Sequence, residues 1–160
     1  YIKGLILRQQ GRIDESLTIF QAALCLNPVN INNIKQVGQS LYLLGKHREA
    51  LGVFEEAEKI FSEDRFVWHS KGICYRFLKQ YELAIECLET ANGIQKHERT
   101  FDELADIYKE TNDMSMAMST YMDALDVFPE SAHFLTCTGL MHIALNNTTD
   151  AFESGNFNWL

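Results

Sequence analysis

The chain has 160 residues, of which 46% are hydrophobic and 22% are charged, a balance typical of a folded protein. Its 22 acidic and 14 basic residues give a net charge of −8, which argues against binding to nucleic acid or to an anionic membrane surface. No apolar run approaches the roughly 18–20 residues of a membrane span, so direct membrane insertion is not predicted either.

A small residue recurs along the chain with a spacing of 33 or 34 residues, at Gly4, Gly38, Gly72, Ala105 and Gly139. A second small residue follows each of these twelve positions later, at Ser16, Ala50, Ala84, Ala117 and Ala151. In the first four repeats a large apolar residue comes four positions further on, and an alanine comes three positions after that. These two series are Phe20, Phe54, Leu88 and Tyr121, and Ala23, Ala57, Ala91 and Ala124. A fixed period of this length predicts repeats built from two helices each.

The predicted elements follow in chain order as one array of five helix pairs, with repeats over about 1–30, 31–64, 65–97, 98–131 and 132–160. First helices are predicted over about 1–10, 31–44, 65–78, 98–111 and 132–145. Second helices are predicted over about 14–26, 48–60, 82–94, 115–127 and from 149 onward. The turn between them carries a residue that tolerates the left-handed conformation, at Gly11, Gly45, Asn112 and Asn146, with Lys79 as the exception. The first and last repeats are expected to be incomplete, because the first starts inside a helix and the last lacks the large apolar residue and the second alanine. Neither end has a polar capping face, so the chain is expected to be a piece of a longer array.

The spacing also predicts how the two helices of a repeat meet. The small residue on the first helix allows the second helix to approach closely, and an alanine of the second helix is expected to pack into the gap. The large apolar residue and the alanine after it are expected to face the next repeat.

This pattern resembles the tetratricopeptide repeat family, a helix–turn–helix repeat of 34 residues. Trp68 stands at the family's tryptophan position, and Tyr75 and Tyr108 stand at its tyrosine position. The resemblance implies an all-α protein, a right-handed α-solenoid whose first helices line a concave groove that binds other proteins.

No sequence motif for catalysis or for a cofactor is present: the chain has no GxGxxG, P-loop, GxSxG or HExxH pattern. Its four cysteines form no CxxC pair, so no zinc site is predicted. Their mostly apolar neighbours predict buried, reduced thiols in a cytoplasmic protein. We therefore expect neither an enzyme nor a metal or cofactor.

The negative charge is concentrated in the fourth repeat, since residues 98–130 carry a net charge of −7. Four carboxylates spaced by four residues form an acidic strip along one predicted helix, namely Glu98, Asp102, Asp106 and Glu110. By their phase in the repeat, Asp102, Asp106 and Glu110 should face the groove. One interpretation is a solvated face partly neutralised by Arg76 and Lys79 of the preceding repeat. The other is a docking strip for a basic helix or peptide of a partner.

The corresponding groove positions of the second and third repeats mix basic, aromatic and amide groups, as in a surface that binds peptides. They are Lys35, Gln39, Tyr42, His69, Ile73, Arg76 and Phe77. One known binding mode of the family is a clamp of Lys, Asn and Arg for the C-terminal carboxylate of chaperones. Lys35 matches its first lysine, but Gln39, Ser70 and Glu103 stand at the next three positions. An acid in a clamp for an anion argues against a chaperone adaptor.

Three stretches are more specific than the general pattern: YIKGLILRQQGRIDESLTIFQ, KQVGQSLYLLGKHREALGVFEEAEKI and GICYRFLKQYELAIECLETA. They resemble a family of tetratricopeptide-repeat subunits of the BBSome, a ciliary coat complex. The resemblance is clearest over residues 1–91, and residues 154–160 do not fit it. It implies a non-enzymatic scaffold for ciliary trafficking of membrane proteins, located in the cytoplasm, at the cilium and basal body, and at centriolar satellites. The implied partners are other coat subunits, motor-adaptor proteins and satellite proteins.

Two other functions fit the repeat pattern. One is a transient adaptor that binds short peptides, and the other is the repeat domain of a larger enzyme or cochaperone. Exposed repeat faces at both ends of the array also predict self-association of the chain.

Overall fold

The computed structural model describes residues 1–153, with side chains as far as Asn146, and it confirms the predicted all-α class. The described residues form nine α-helices and no strand. The helices are α1 (Ile2–Gln9), α2 (Ile13–Leu26), α3 (Ile31–Leu43), α4 (His47–Ile60), α5 (Arg65–Phe77), α6 (Tyr81–Ile94), α7 (Glu98–Glu110), α8 (Met114–Val127) and α9 (Ala132–Glu153). Every predicted boundary of α1 to α8 is met to within one residue. None of the helices in residues 1–153 is long and apolar enough to cross a membrane.

Polar side chains fix the starting points of several helices. The Asn30 side-chain oxygen accepts hydrogen bonds from the backbone N–H groups of Asn32 (3.0 Å) and Asn33 (3.1 Å) at the start of α3. The Asp64 carboxylate accepts from the backbone N–H of Val67 (3.2 Å) at the start of α5. Each bond satisfies a donor that has no partner within the helix, so the sequence sets these starts locally.

The turns inside the first four repeats share one backbone conformation. Each pair of helices is separated by three residues, and the middle residue is left-handed, with φ of 77° at Gly11, 73° at Gly45, 62° at Lys79 and 61° at Asn112. The predicted left-handed conformation at this position is therefore confirmed. Lys79 adopts it even though a side chain disfavours it. The turn geometry, rather than the residue type, decides the conformation at this position.

The chain divides into two compact parts, an N-terminal module (Tyr1–Lys96) and a C-terminal module that begins at His97. In the N-terminal module each helix from α1 to α6 packs on the next, and α3 also contacts α5, around a core that includes Phe20, Phe54 and Val67. In the C-terminal module α7 packs on α8 and α8 on α9, around Phe101, Phe134 and their neighbours. The organisation of the whole chain as a single array of five repeats stays a prediction.

The close approach of the two helices is confirmed, but a large side chain, not an alanine, fills the gap over the small residue. A Cβ atom added at Gly38 would lie 2.4 Å from Cζ of Phe54, and one at Gly72 would lie 2.6 Å from Cγ of Leu88. The large residue also faces the next repeat, as predicted. Phe54 covers Gly38 of its own repeat and also meets Phe66 of the next, with 6.2 Å between ring centroids. An aromatic ring can bridge both because glycine leaves room for it.

The predicted turn and second helix of the fifth repeat are wrong, because α9 runs without interruption from Ala132 to Glu153. Asn146 lies within this helix and lacks the left-handed conformation of the other turn residues. The sequence supplies a reason: four positions after Ala151 comes Gly155, where earlier repeats have a large apolar residue. A second helix would therefore lack the large side chain that covers the glycine in repeats one to three, and a helix that has started continues. The predicted atypical segment 154–160 lies outside the described residues.

The expectation that all four cysteines are buried is also only partly met. Cys74 and Cys87 are buried, whereas Cys25 is exposed and Cys137 is partly buried; all four are free thiols. Apolar neighbours in sequence misled the prediction, because consecutive residues of a helix point to different faces. Leu26, beside Cys25, is itself 88% exposed.

Candidate partner-binding surfaces

The predicted groove residues of the N-terminal module come from two helices in contact, α3 and α5. Lys35, Gln39 and Tyr42 lie on α3 and are partly buried. On α5, His69 and Ile73 are buried, Arg76 is partly buried and Phe77 is 49% exposed. These residues therefore lie on neighbouring helices. Only the α3 residues, Arg76 and Phe77 are exposed enough for a partner to contact them.

Lys35 is held by Asp64, just before α5, and by Phe66 on α5. Its ammonium nitrogen lies 2.6 Å from the Asp64 carboxylate and 5.2 Å from the ring centroid of Phe66. Both charged side chains are about three-quarters buried, with exposed fractions of 21% and 24%. A lysine neutralised in this way is poorly suited to binding a carboxylate of a ligand, which agrees with the argument against a chaperone clamp. Asp64 was missed in the sequence, although it also caps α5.

Three rings form an aromatic corner, consisting of Tyr42, His47 and Phe77. The His47 and Phe77 rings are stacked with 4.6 Å between centroids, and Tyr42 meets Phe77 edge-on at 5.5 Å. His47 was not among the predicted site residues. It begins α4, directly after the turn at Gly45, and that turn returns the chain towards Tyr42. The partly exposed corner suits contact with an apolar or aromatic side chain of a partner.

The N-terminal module also has an apolar groove of about 420 Å³ that the sequence did not predict. Leu24, Ile34, Val53 and Ile60 line it, together with Pro28, Gly52 and Ala57, and Glu49 and Glu56 add carboxylates. Leu26 and Val29 follow Leu24 in the chain and are 88% and 59% exposed. Apolar surface of this kind is typical of regions that bind other proteins.

In the C-terminal module the acidic strip lies on α7, as predicted. Glu98 and Glu110 are exposed, and Asp102 and Asp106 are partly buried. The Asp102 carboxylate lies 2.6 Å from Nε2 of His133 on α9, and Asp106 lies 2.6 Å from the ammonium nitrogen of Lys109. These two carboxylates thus have cationic or hydrogen-bonding partners within their own module. Neutralisation by Arg76 and Lys79 stays a prediction.

Lys109 joins the strip to the core of the C-terminal module. Its ammonium group also donates a hydrogen bond to the Tyr121 hydroxyl (3.1 Å). Burial alone would lower the pKa of Lys109, but the hydrogen bonds to Asp106 and Tyr121 outweigh it and raise the pKa. Burial raises the pKa of Tyr121, although the hydrogen bond and charge of Lys109 oppose that shift. Lys109 therefore stays charged and fixes the position of Asp106.

Two of the four cysteines, Cys74 and Cys87, are buried among packed helices. Burial raises the pKa of Cys74 to about 12 and that of Cys87 to about 11, so both thiols are protonated near neutral pH and are weak nucleophiles. Within the part of the chain that the structure describes, no group of three or more His, Cys, Asp or Glu side chains could hold a metal ion.

Comparison with known families gives a match to the tetratricopeptide repeat over residues 1–30, 67–97 and 99–131. These segments make up more than half of the sequence. They coincide with the first, third and fourth repeats predicted from the spacing of small residues. Repeat two, between the first two segments, has the same turn as the matched repeats and the same glycine-to-ring packing as repeat one.

Two curated relatives are both BBSome complex member BBS4. The protein of Bos taurus is 38% identical over 153 residues, which cover 96% of this chain and 30% of the relative. The protein of Mus musculus is 39% identical over 143 residues, which cover 89% of this chain and 28% of the relative. The chain thus spans about three tenths of the length of these relatives.

Among solved structures, the crystal structure of MamA resembles the chain with a TM-score of 0.76. The match covers 94% of this chain and 88% of MamA at 15% sequence identity. A likeness at this low identity shows a shared fold and nothing about shared partners.

Proposed function

Because the chain belongs to the tetratricopeptide repeat family, we propose that it is a non-catalytic scaffold, part of a BBS4-like subunit of a BBSome complex. The observation that carries this proposal is the identity of 38% and 39% to two vertebrate BBS4 proteins over most of the chain. A subunit of that coat would act in ciliary trafficking of membrane proteins. It would work in the cytoplasm, at the cilium and basal body, and at centriolar satellites.

The surfaces of the N-terminal module support a lasting interface over a transient one. A subunit that stays in a complex needs apolar contact area, and the groove lined by Leu24, Val53 and Ile60 offers it. The aromatic corner adds a partly exposed Phe77. A transient peptide adaptor would instead rely on a polar groove, yet Lys35 is already paired with Asp64.

In the proposed complex the acidic strip binds a basic segment of a neighbouring subunit or of a motor-adaptor or satellite protein. Like charges spaced by four residues on one helix destabilise it by about 0.2–0.5 kcal/mol per pair, so the strip has a cost for folding. A partner carrying Lys or Arg would remove that cost and gain charge-assisted hydrogen bonds. The carboxylates that reach solvent on α7, above all Glu98, supply the first contact.

The test uses the full-length parent protein, tagged and purified from ciliated cells with its partners. We expect Asp102→Lys combined with Asp106→Lys to lower the recovery of at least one coat subunit about tenfold, because the strip then repels a basic partner. The fold should persist, since ion pairs this exposed contribute about 0–1 kcal/mol each. Helicity measured by circular dichroism checks that point.

A matched control reverses two exposed carboxylates on α8, Asp123→Lys combined with Asp126→Lys. The change in net charge is the same, so recovery of the coat subunits should stay at the wild-type level. Equal losses in both variants, or no loss in either, would reject the strip as a binding surface. Recovery of coat subunits by the wild-type protein would in either case leave the scaffold proposal standing.

A further inference from the structure

The apolar groove of the N-terminal module is lined by two second helices and the first helix that joins them. Leu24 and Pro28 line it from the end of α2 and the loop that follows, and Gly52 and Val53 line it from α4. The buried Ile34 lines it from α3, which contacts both α2 and α4. Its volume of about 420 Å³ lies within the range of about 300–1,000 Å³ that is usual for binding clefts.

Gly52 occupies a position in this groove where the packing of the described chain does not require glycine. It lies in the interior of α4, where glycine destabilises a helix relative to alanine. A Cβ atom at Gly38 or Gly72 would collide with a side chain at 2.4 or 2.6 Å, but one at Gly52 would meet nothing within 4 Å. The equivalent residues of repeats one, three and four are Thr18, Glu86 and Ser119. Gly52 therefore leaves an open notch in the groove.

Carboxylates line the groove on both sides of the notch. Glu49 and Glu56 are exposed and stand seven residues apart, which is about 10.5 Å along α4. Glu49 makes no ion pair with any described residue. Glu56 lies 2.5 Å from the ammonium nitrogen of Lys59, but both side chains are more than two-thirds exposed, so a partner can replace Lys59 at little cost. The groove therefore suits a partner with positive charges on both sides of an apolar side chain.

An amphipathic helix has this chemistry at this spacing. Two Lys or Arg residues seven positions apart lie two turns apart on one face, so they match Glu49 and Glu56 when the helix runs along α4. An apolar residue three or four positions after the first lies between them on the same face, opposite Gly52. Helices dock into apolar grooves in this way, through side chains that project from one face.

The sequence argues against a second copy of this chain as the occupant. None of its 14 Lys and Arg residues stands seven positions from another. No helix of the chain can therefore place one basic residue at Glu49 and a second at Glu56. The chemistry of the groove points to a different polypeptide.

We propose that the apolar groove binds an amphipathic helix of another coat subunit. That helix places a large apolar side chain over Gly52 and two Lys or Arg residues, seven positions apart, against Glu49 and Glu56. This inference rests on the scaffold function proposed above and names the chemistry of one partner. The acidic strip on α7 takes no part in the contact.

Photo-cross-linking in the tagged full-length parent protein, purified with its partners, identifies the occupant. A benzophenone amino acid replaces Ile60, which lines the groove and is 54% exposed. We expect a cross-link to one coat subunit, within a segment that carries two basic residues seven positions apart around an apolar residue. The same amino acid at Ile94, the equivalent position of the third repeat and 39% exposed, should not give this product. A cross-link to a second copy, to another segment of the parent chain, to a segment without such residues, or to nothing would overturn the proposal.

Gly52→Leu fills the notch and tests its part in binding. Recovery of the cross-linked subunit should fall about tenfold, because the side chain over Gly52 loses its place. The thermal unfolding midpoint should not fall, since the space at Gly52 is open and leucine is the better helix former. Gly93→Leu, at another helical glycine with open space, should leave recovery unchanged. Full recovery with Gly52→Leu would overturn the groove proposal and leave the scaffold proposal standing. If the wild type recovered no coat subunit, both proposals would fall.

Charge reversal tests the basic residues of the partner. Glu49→Lys combined with Glu56→Lys should lower recovery of the same subunit about tenfold, because like charges then face each other across the groove. The matched control is Glu82→Lys combined with Glu89→Lys, two exposed carboxylates seven residues apart on α6. If both double variants retained the subunit equally well, a basic helix would not be the occupant of the groove.

Discussion

Gly38→Ala is expected to lower the free energy of unfolding by about 1–3 kcal/mol, although alanine is the better helix former. The added methyl group would lie 2.4 Å from Cζ and within 2.8 Å of both Cε atoms of the Phe54 ring. Phe54 is 1% exposed and contacts Phe66 of the next repeat, so its ring cannot move aside without disturbing the core. Urea unfolding followed by circular dichroism measures the loss.

Gly52→Ala is the control for this substitution, because a Cβ atom there meets nothing within 4 Å. We expect it to gain about 0.5–1 kcal/mol from helix propensity alone. Combining Gly38→Ala with Phe54→Leu should recover part of the loss, since Leu88 fills the same position over Gly72 in the third repeat. If Gly38→Ala and Gly52→Ala were equally stabilising, the packing of Phe54 on Gly38 would not hold the repeat together.

The second large effect is a loss of stability in alkaline solution caused by two buried thiols. Burial raises the pKa of Cys74 to about 12 and that of Cys87 to about 11, from an ordinary value of 9.0. Above that ordinary value the unfolded chain releases both protons while the folded chain keeps them, so rising pH favours unfolding. The two thiols together should reduce the free energy of unfolding by about 3 kcal/mol between pH 8 and pH 10.

The measurement compares urea unfolding at these two pH values for the wild type and for Cys74→Ala combined with Cys87→Ala. The double variant is less stable at both values because it leaves cavities, but it should lose much less stability between pH 8 and pH 10 than the wild type. Cys25→Ala removes an exposed thiol and should keep the wild-type pH dependence. A double variant with the same alkaline loss as the wild type would show that these thiols are not the cause.

Much of the fold could be predicted because a few positions in each repeat determine where its helices and its turn lie. The spacing of the small residues and the turn residues predicted the ends of α1 to α8 to within one residue. The left-handed turn was predicted from Gly11, Gly45 and Asn112. Lys79 shows the limit of reading residue types, because the turn imposes a φ of 62° on a lysine. The repeat period places Lys79 at the left-handed turn position, although a lysine by itself does not predict that conformation.

The fifth repeat was mispredicted for the complementary reason. Gly139 and Ala151 keep the phase of the repeat, but the large apolar residue that holds the second helix is missing. Phase shows where a second helix would lie, whereas packing decides whether it forms. The exposed position of Cys25 was missed in the same way, from apolar neighbours that point elsewhere.

The candidate binding surfaces were only partly predictable, because their geometry depends on contacts between repeats. The acidic strip follows from a spacing of four on α7, and it was predicted. The pairs Lys35 with Asp64 and Asp102 with His133 join residues 29 and 31 positions apart. Such separations link the first helix of one repeat to the start of the next first helix. A search for opposite charges at this distance could have found them.

A permanent subunit of a coat complex, as proposed for this chain, should be recovered together with the other subunits. Native mass spectrometry of the complex purified with the tagged full-length parent protein measures this. We predict one assembly that contains the parent protein and several other coat subunits in fixed whole-number ratios. Recovery of the parent protein alone, with a chaperone, or with a single substoichiometric ligand would contradict the claim and favour a transient adaptor.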